Sequence, residues 1–383
     1  MKIFILAGEA SGDRLGAALM QGLQKAVPVV EFQGVAGPEM QMQGINSLFD
    51  MSELSVIGLA EILPKYMGLR RLLAQTVDAV LVWKPDVLIT IDSPDFCLRV
   101  AKAVRAANPS IRTVHYVAPT VWAWRPKRAR KMAQFIDHVL ALFPFEPPYM
   151  EAEGMACDFV GHPITAMPPA TKTKIAEFQC SVGLDAMRSA LVILPGSRRS
   201  EVQRLLPVFC EVLSEPDFSE TQLIFPTLPH LAQVVRDQVA GLSQDCFVVA
   251  GEGLSAEAAA AQRFTAFATA QAALAASGTV SLELAAAGTP MVIAYDMGLV
   301  SRVIIGAMLR VDTVTLVNLV SETRDVPEFI GKNCKADLIA PALVQILQNP
   351  QVQEHAMRTT MERLGQGDLA LADRAAQAVL ARL

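Results

Sequence analysis

Leu191-Val192-Ile193-Leu194-Pro195-Gly196-Ser197-Arg198 runs apolar up to a Pro-Gly pair and then turns polar, with Arg199-Ser200-Glu201 directly behind it. A short apolar run that ends this way predicts a buried parallel strand, a loop, and a helix soon after. Gly196 allows a ligand to approach the backbone, and Arg198 offers a guanidinium fork that suits a phosphate. Taken alone, the stretch reads equally as an ordinary strand-to-helix turn with surface arginines. Its surroundings change the weighing, because it opens a second series of strand and helix patterns and a comparable series precedes it. The expected class is therefore α/β, in two similar halves.

A chain of 383 residues exceeds what one hydrophobic core usually serves, so two domains are expected. Hydrophobic residues make up 52% and charged residues 19%, with a net charge of −5, so no global attraction to nucleic acid is expected and local basic clusters must carry any anion binding. The six cysteines, Cys97, Cys157, Cys180, Cys210, Cys246 and Cys334, form no CxxC pair and have no metal-ligand partners nearby. They read as buried free thiols of a reducing compartment. Lys2-Ile3-Phe4-Ile5-Leu6 is too short for a signal h-region, and Glu9 and Asp13 follow at once, which points to the cytoplasm. The uncharged span Phe264 to Leu282 is mostly Ala with Thr, Gln, Ser and Gly. It reads as a helix end plus a buried strand rather than a membrane crossing.

In chain order, strands are predicted at Ile3–Ala7, Phe32–Val35, Val87–Ile91, Thr113–Val117 and His138–Phe143. The second half gives strands at Leu191–Leu194, Gln222–Pro226, Phe247–Val249, Ala272–Ala276 and Met291–Tyr295. Gly8-Glu9-Ala10-Ser11-Gly12-Asp13 is a turn into a helix; it is not the GxGxxG fingerprint, and Ser11 is the expected cap. Asp92 is the first charge past its strand, where open α/β sheets bind ligands, and is the better candidate for a general base; Asp95 is the candidate cap of the next helix. Ordinary turn chemistry explains both equally. The segment 55–83 is helical, with Ile62, Tyr66, Leu69, Leu73 and Val77 on one face and Leu63, Met67 and Leu72 beside it. With Lys65, Arg70 and Arg71 interspersed, it reads first as a core helix with snorkelling cations and second as a membrane-surface helix. Trp122 and Trp124 precede Arg125, Lys127, Arg128, Arg130 and Lys131, which suits a membrane interface or phosphorylated amphiphile, single-stranded nucleic acid, or a solvated basic helix. His162 at the domain edge is a weak site candidate, and Met167–Lys174 reads as an interdomain linker. Ser277-Gly278-Thr279 opens a helix after a strand, leaving N–H groups and hydroxyls for a phosphate, with Glu283 within reach of ribose hydroxyls. Leu299–Leu309 is apolar with Arg302 and Arg310 embedded at its edges, and Asn318 is the polar member of an apolar run. Helices at Ala336–Leu347, Gln351–Leu364 and Leu369–Leu383 close the chain.

These motifs together resemble the lipid-A-disaccharide synthase family. The resemblance is carried by Ala7-Gly8-Glu9-Ala10-Ser11-Gly12-Asp13, Gly34-Val35-Ala36-Gly37-Pro38, Ile91-Asp92-Ser93-Pro94-Asp95-Phe96, and His115 through Trp124. Downstream, Leu194-Pro195-Gly196-Ser197-Arg198, Ser277-Gly278-Thr279 with Glu283, and Asn318-Leu319 fit the same family, in the right order over nearly the whole chain. The tryptophan stretch separates this family from UDP-N-acetylglucosamine 2-epimerases and peptidoglycan transferases, the alternative enzymes on the same fold. A non-enzymatic two-lobed binding protein would usually be exported. One departure is Val317, where the family pattern has proline before the asparagine.

The resemblance implies two Rossmann-like domains of the GT-B type with an active site in the cleft between them. Residues 1–168 would bind the acceptor, 169–365 would bind the UDP-sugar, and a C-terminal helix at about 366–383 would return to the first domain. The implied reaction joins UDP-2,3-diacylglucosamine to 2,3-diacylglucosamine 1-phosphate, giving the β-1,6-linked lipid A disaccharide 1-phosphate and UDP with one inversion. Asp92 would be the base; Arg198, Ser277, Gly278 and Thr279 would receive the diphosphate; Glu283 would hold ribose; Asn318 would line the donor site; and Ser11 and Gly12 would form the glycine loop on the acceptor side. No metal or other cofactor is expected, and no nucleic-acid partner. A diacylated substrate must be met at the membrane, so Leu69, Leu72, Leu73, Trp122, Trp124, Arg128 and Lys131 become candidates for a lipid-facing rim of a peripheral protein on the cytoplasmic face of the inner membrane. The resemblance is compatible with a homodimer.

Overall fold

The computed structural model describes residues 1–54, 59–123, 127–297 and 311–383, with the side chains of 59–66 outside the description. The chain divides into two compact units, one of Met1–Ala166 with Leu364–Leu383 and one of Met167–Arg363.

The first unit is built on six parallel strands: β1 (Lys2–Ala7), β2 (Glu31–Val35), β3 (Val87–Ile91), β4 (Arg112–Tyr116), β5 (His138–Ala141) and β6 (Ala156–Phe159). Their order is β2-β1-β3-β4-β5-β6. Ile3 pairs with Val87 and Ile5 with Ile89, so two strongly apolar strands lie side by side inside the sheet. Helices cover both faces of such a sheet, so central strands read as unbroken apolar runs rather than alternating ones. β3 is accordingly buried at every position. Helices Ala10–Ala26, Leu59–Trp83 and Pro94–Ala107 supply the crossovers. The C-terminal helix Leu371–Leu380 packs on Ala10–Ala26, where Lys25 pairs with Asp373 at 2.8 Å. Arg382 reaches Asp158 at 3.1 Å, fastening the last residues to β6.

The second unit repeats the plan with β7 (Ala190–Leu194), β8 (Gln222–Pro226), β9 (Cys246–Val249), β10 (Ala272–Ala276), β11 (Met291–Tyr295) and β12 (Glu328–Ile330), in the order β12-β11-β10-β7-β8-β9. This is the doubly wound order of dinucleotide-binding folds. Phe209, Phe218, Phe225 and Leu343 are fully buried in its core.

Most predicted strands stand within a residue or two of their observed bounds. β6 and β12 were not anticipated: they are short edge strands of partly buried residues, without the apolar run that marks a central strand. The run predicted to Phe143 ends at Ala141. The proposed linker is shorter than expected, because Thr171 caps a helix at Lys172–Val182 by accepting from the Lys174 N–H at 3.3 Å. Asn318 lies in a short helix, Leu316–Ser321. The uncharged span from Phe264 divides into the end of the Ala256–Thr269 helix and β10, and no helix among the described residues is long and apolar enough to cross a membrane. All six cysteines are free thiols, but only Cys97, Cys157 and Cys334 are buried; Cys210 and Cys246 are half-buried and Cys180 is exposed. The Leu299–Leu309 segment and Arg310 lie outside the described residues.

Candidate active site

In the second unit, β7 and β10 are neighbours, and the chain runs outward from them in opposite directions, through β8 and β9 on one side and β11 and β12 on the other. Loops at such a reversal diverge and leave a crevice beyond the C-terminal strand ends. The loop after β7 is Pro195–Arg198. Gly196 has φ +117°, and a Cβ there would lie 2.6 Å from the Glu201 Cβ. Its absence lets Glu201 fold over the loop. Oε2 of Glu201 accepts from the Ser197 and Arg198 N–H groups at 3.1 and 3.2 Å. Oε1 accepts from Arg198 Nη1 at 2.8 Å and from the Tyr295 hydroxyl at 3.3 Å. Glu201 at the third helical position thus reaches back to its N-cap, half of a capping box. The Arg198 side chain stays 77% exposed.

The loop after β10 is Ser277-Gly278-Thr279, leading into the helix Val280–Ala287 with Thr279 as N-cap. The two loops, Thr227, Leu228, Arg263, Phe267 and Glu283 line one cavity of about 410 Å³. Glu283 accepts from Arg263 Nη2 at 2.7 Å. Burial pushes the Glu283 carboxyl above the ordinary carboxylate range, and the Arg263 guanidinium pulls it back. An exposed guanidinium and the start of the Val280–Ala287 helix suit a diphosphate, and a half-buried carboxylate suits sugar hydroxyls.

The first unit has its own reversal, between β1 and β3. Asp92 ends β3 at φ +50° and Ser93 follows at φ +44°, two adjacent non-glycine residues in the left-handed region. Such strain persists where the surroundings over-determine it, often at functional sites. The Asp92 N–H donates to the Tyr116 carbonyl at 2.9 Å, and Asp92 Oδ1 accepts from the Ser93 N–H at 2.8 Å. The loop after β1 closes against this turn: a Cβ on Gly8 would stand 2.5 Å from Ser93 Oγ. Ser11 Oγ donates to Asp92 Oδ2 at a long 3.4 Å. Gly12, in the first turn of the Ala10–Ala26 helix, is buried with the Ile91 carbonyl in ordinary contact. Burial first, then the charge of Asp92, raises the Glu9 carboxyl. The charge of Asp92, past β3, thus acts on the carboxyl of Glu9, past the neighbouring β1.

Several sequence readings are corrected here. Ser11 is not the cap of its helix; Glu9 stands at that position and Ser11 faces Asp92. Asp95 lies in the first turn of Pro94–Ala107, whose N-cap is Ser93. Asn318 does not line the donor cavity. It is 1% exposed, its amide donates to the Val326 carbonyl at 2.9 Å, and its Oδ1 accepts from the Val326 N–H at 3.1 Å, so both ends are spent on holding a turn. Trp122 is buried, with its indole N–H donating to Glu146 Oε1 at 3.3 Å and its ring edge against Phe145. Leu72 is 4% exposed, and Leu69, Leu73 and Val77 pack against the same core. Trp122 and Leu72 are therefore core residues, and Leu69 and Leu73 are half-buried beside them. Trp124 and Arg125 lie outside the described residues, as do the side chains of Ile62, Leu63, Lys65 and Tyr66. Lys131 is exposed, while Arg128 is half-buried and its charge is felt by the buried His115. His162 is half-buried, desolvation holds its imidazole down at about 4, and its Nδ1 accepts from the Ile164 N–H at 3.1 Å. Glu201, Arg263 and Glu9 escaped sequence reading. The spacing of Glu201 from Arg198 signals a cap, but nothing in the Ala-rich run around Arg263 marks it.

Comparison with known proteins bears on the whole chain. The sequence model of a family described as lipid-A-disaccharide synthetase matches residues 3–381. A lipid-A-disaccharide synthase of Ruegeria pomeroyi is 56% identical over 385 residues, covering 100% of this chain and 96% of that protein. Another, of Rhodospirillum centenum, is 44% identical, covering 99% and 94%. Among solved structures, a putative UDP-N-acetylglucosamine 2-epimerase of Listeria monocytogenes aligns with a TM-score of 0.65 at 17% identity, covering 99% of this chain and 95% of that one. An Acinetobacter baumannii MurG aligns at 0.57 and 14%, covering 100% and 99%. These distant structures share the fold of two Rossmann-like domains. The chain belongs to the lipid-A-disaccharide synthase family, the glycosyltransferases that condense UDP-diacylglucosamine with diacylglucosamine 1-phosphate in lipid A biosynthesis.

Proposed function

We propose that this chain performs its family's condensation with Asp92 as general base and the cavity of the second unit as the UDP site. Asp92 takes the proton of the acceptor 6-hydroxyl as the oxygen attacks C1 of the donor sugar. The new O–C1 bond forms as the bond from C1 to the β-phosphate oxygen breaks, inverting the anomeric carbon. Arg198 and the N–H groups opening the Val280–Ala287 helix take up the charge on the departing UDP. Glu283 accepts from ribose hydroxyls. The first unit binds the acceptor and the second the donor. The observation that carries this reading is convergence: Arg198, Ser277, Gly278, Thr279 and Glu283, from motifs far apart in sequence, line one cavity.

Membrane contact is peripheral in this reading, on the cytoplasmic face of the inner membrane. The buried Trp122 and Leu72 do not supply it. Exposed Lys127, Arg130 and Lys131 on one helix, and exposed Arg71 and Met67 on another, offer cations and one apolar side chain for an anionic surface.

The test is UDP binding by calorimetry together with UDP release on acylated and unacylated acceptor. Arg198→Ala weakens UDP binding by about one to two decades, the worth of one charge-assisted hydrogen bond. Unchanged affinity and turnover would remove Arg198 from the donor site. Release of UDP that ignores acylation would remove the lipid substrate.

A further inference from the structure

We propose that Arg263 is a positioning residue of the donor site: its ion pair with Glu283 fixes that carboxylate, ionised and aimed at the cavity, and so sets the preference for a ribonucleotide. This rests on the reading of Glu283 as the ribose contact and goes one step beyond it.

Arg263 stands on the Ala256–Thr269 helix and Glu283 on Val280–Ala287, two helices packed together. Both side chains line the donor cavity. Arg263 Nη2 lies 2.7 Å from Glu283 Oε2, and the guanidinium carbon sits 5.9 Å from the centre of the Phe267 ring, which lines the same cavity. Among the described residues the guanidinium's hydrogen bond goes to Glu283, while its buried Nε goes without one. The stack on Phe267 is one that a planar cation makes better than an ammonium.

The chemistry explains why the pair matters. An ionised carboxylate is acceptor-only and receives both ribose hydroxyls; a protonated one must spend an oxygen on its own O–H. Glu283 is 20% exposed, and its burial favours the protonated form. Arg263 opposes this. The other charged groups around Glu283 do not replace it. The Val280–Ala287 helix carries no other charge, and neither does the packed Leu316–Ser321 helix or β10 and β11. On the packed helix Glu354–Arg363, Arg358 pairs with Glu362, Arg363 pairs with Glu322, His355 bonds Arg358, and Glu354 is exposed. Across the cavity, Arg198 is engaged by Glu201, and Glu257 on the helix of Arg263 is exposed.

The test compares the affinity of UDP with that of 2′-deoxy-UDP by calorimetry, at about pH 6 and about pH 8, in the full chain. Titration of the terminal phosphate is common to both ligands and cancels in their ratio. In the wild type the ribose form is preferred by about tenfold, the worth of one hydroxyl bonded to a carboxylate. Glu283→Gln brings the ratio close to one. Arg263→Met lowers it as well, and more at the lower pH, where Glu283 takes up a proton. Arg263→Lys restores much of it. Melting curves of each variant confirm folded protein. A ratio that Arg263→Met leaves at the wild-type value while Glu283→Gln abolishes it would overturn the proposal and spare the ribose reading. Equal weakening of both ligands by Arg263→Met would also overturn it, showing that Arg263 acts elsewhere. A ratio near one in the wild type, unmoved by Glu283→Gln, would sink the ribose reading and the proposal with it.

Discussion

Replacing Asp92 by Asn tests the base with little damage to the fold, and the backbone explains why Asn is the right probe. At φ +50°, Asp92 occupies the left-handed region, which Asn enters more readily than most residues. The Asn carbonyl oxygen can keep the 2.8 Å bond from the Ser93 N–H. The contact from Ser11 is long at 3.4 Å and contributes little. The stability change is therefore about 1 kcal/mol or less, or roughly 2–4 °C in melting temperature for a unit of this size. An Ala variant is a poorer probe, since holding Ala left-handed costs about 1–2 kcal/mol and mixes unfolding with chemistry. What Asn lacks is the proton acceptor, so turnover falls by about two to four decades. UDP affinity stays unchanged, because the donor residues belong to the other unit. The assay is steady-state UDP release with acylated acceptor, beside UDP calorimetry and a melting curve. Glu9, whose carboxyl is raised by burial and then by the charge of Asp92, is a candidate substitute acceptor, and adding Glu9→Gln reveals any rate it carries. Turnover within about threefold of wild type in Asp92→Asn, Glu9→Gln would refute the assignment.

Leu72→Ala should cost about 2–5 kcal/mol, since the side chain is 4% exposed in the first unit's core, and should lower the melting temperature by on the order of 10 °C while vesicle co-sedimentation persists. The opposite pattern would place this helix against lipid. Charge reversal at Lys127 and Lys131, both exposed, should instead reduce binding to anionic vesicles with the melting temperature kept; unaltered binding would exclude that helix as the contact. Burial, with the nearby Arg128 charge, holds the His115 imidazole down at about 4, against 6.5 in the unfolded chain. The unfolded chain thus takes up a proton that the fold refuses, so the stability this difference confers is full above 6.5 and is lost as the pH falls toward 4. An imidazole signal of His115 titrating near its ordinary value would contradict this.

The sequence made the strands and the loops behind them legible because central parallel strands are apolar at every position and end abruptly in Gly, Pro or Asp. It did not reveal which strands lie side by side. That is a non-local fact, and it selects the sites. Among the described strands, the motif residues of the two sites gather at the ends beside the two reversals, β1 with β3 and β7 with β10. The same limit explains the misreadings. A polar residue in an apolar run has two physical solutions, a ligand or an internal partner, and the run looks the same for both. Asn318 found its partner 8 residues on, in Val326, and Trp122 found its own 24 residues on, in Glu146. A leucine face with arginines beside it is equally ambiguous, because long cationic side chains reach solvent from a helix whose apolar face is in the core. Arg263 shows the converse. It sits without a motif in an Ala-rich helix and gains a role only because helix packing brings it within 2.7 Å of Glu283. Motif residues are therefore the part of such a site that loop chemistry dictates locally. The residues that set their charge and aim come from neighbouring helices, and can be found only after the strand order has fixed which helices those are.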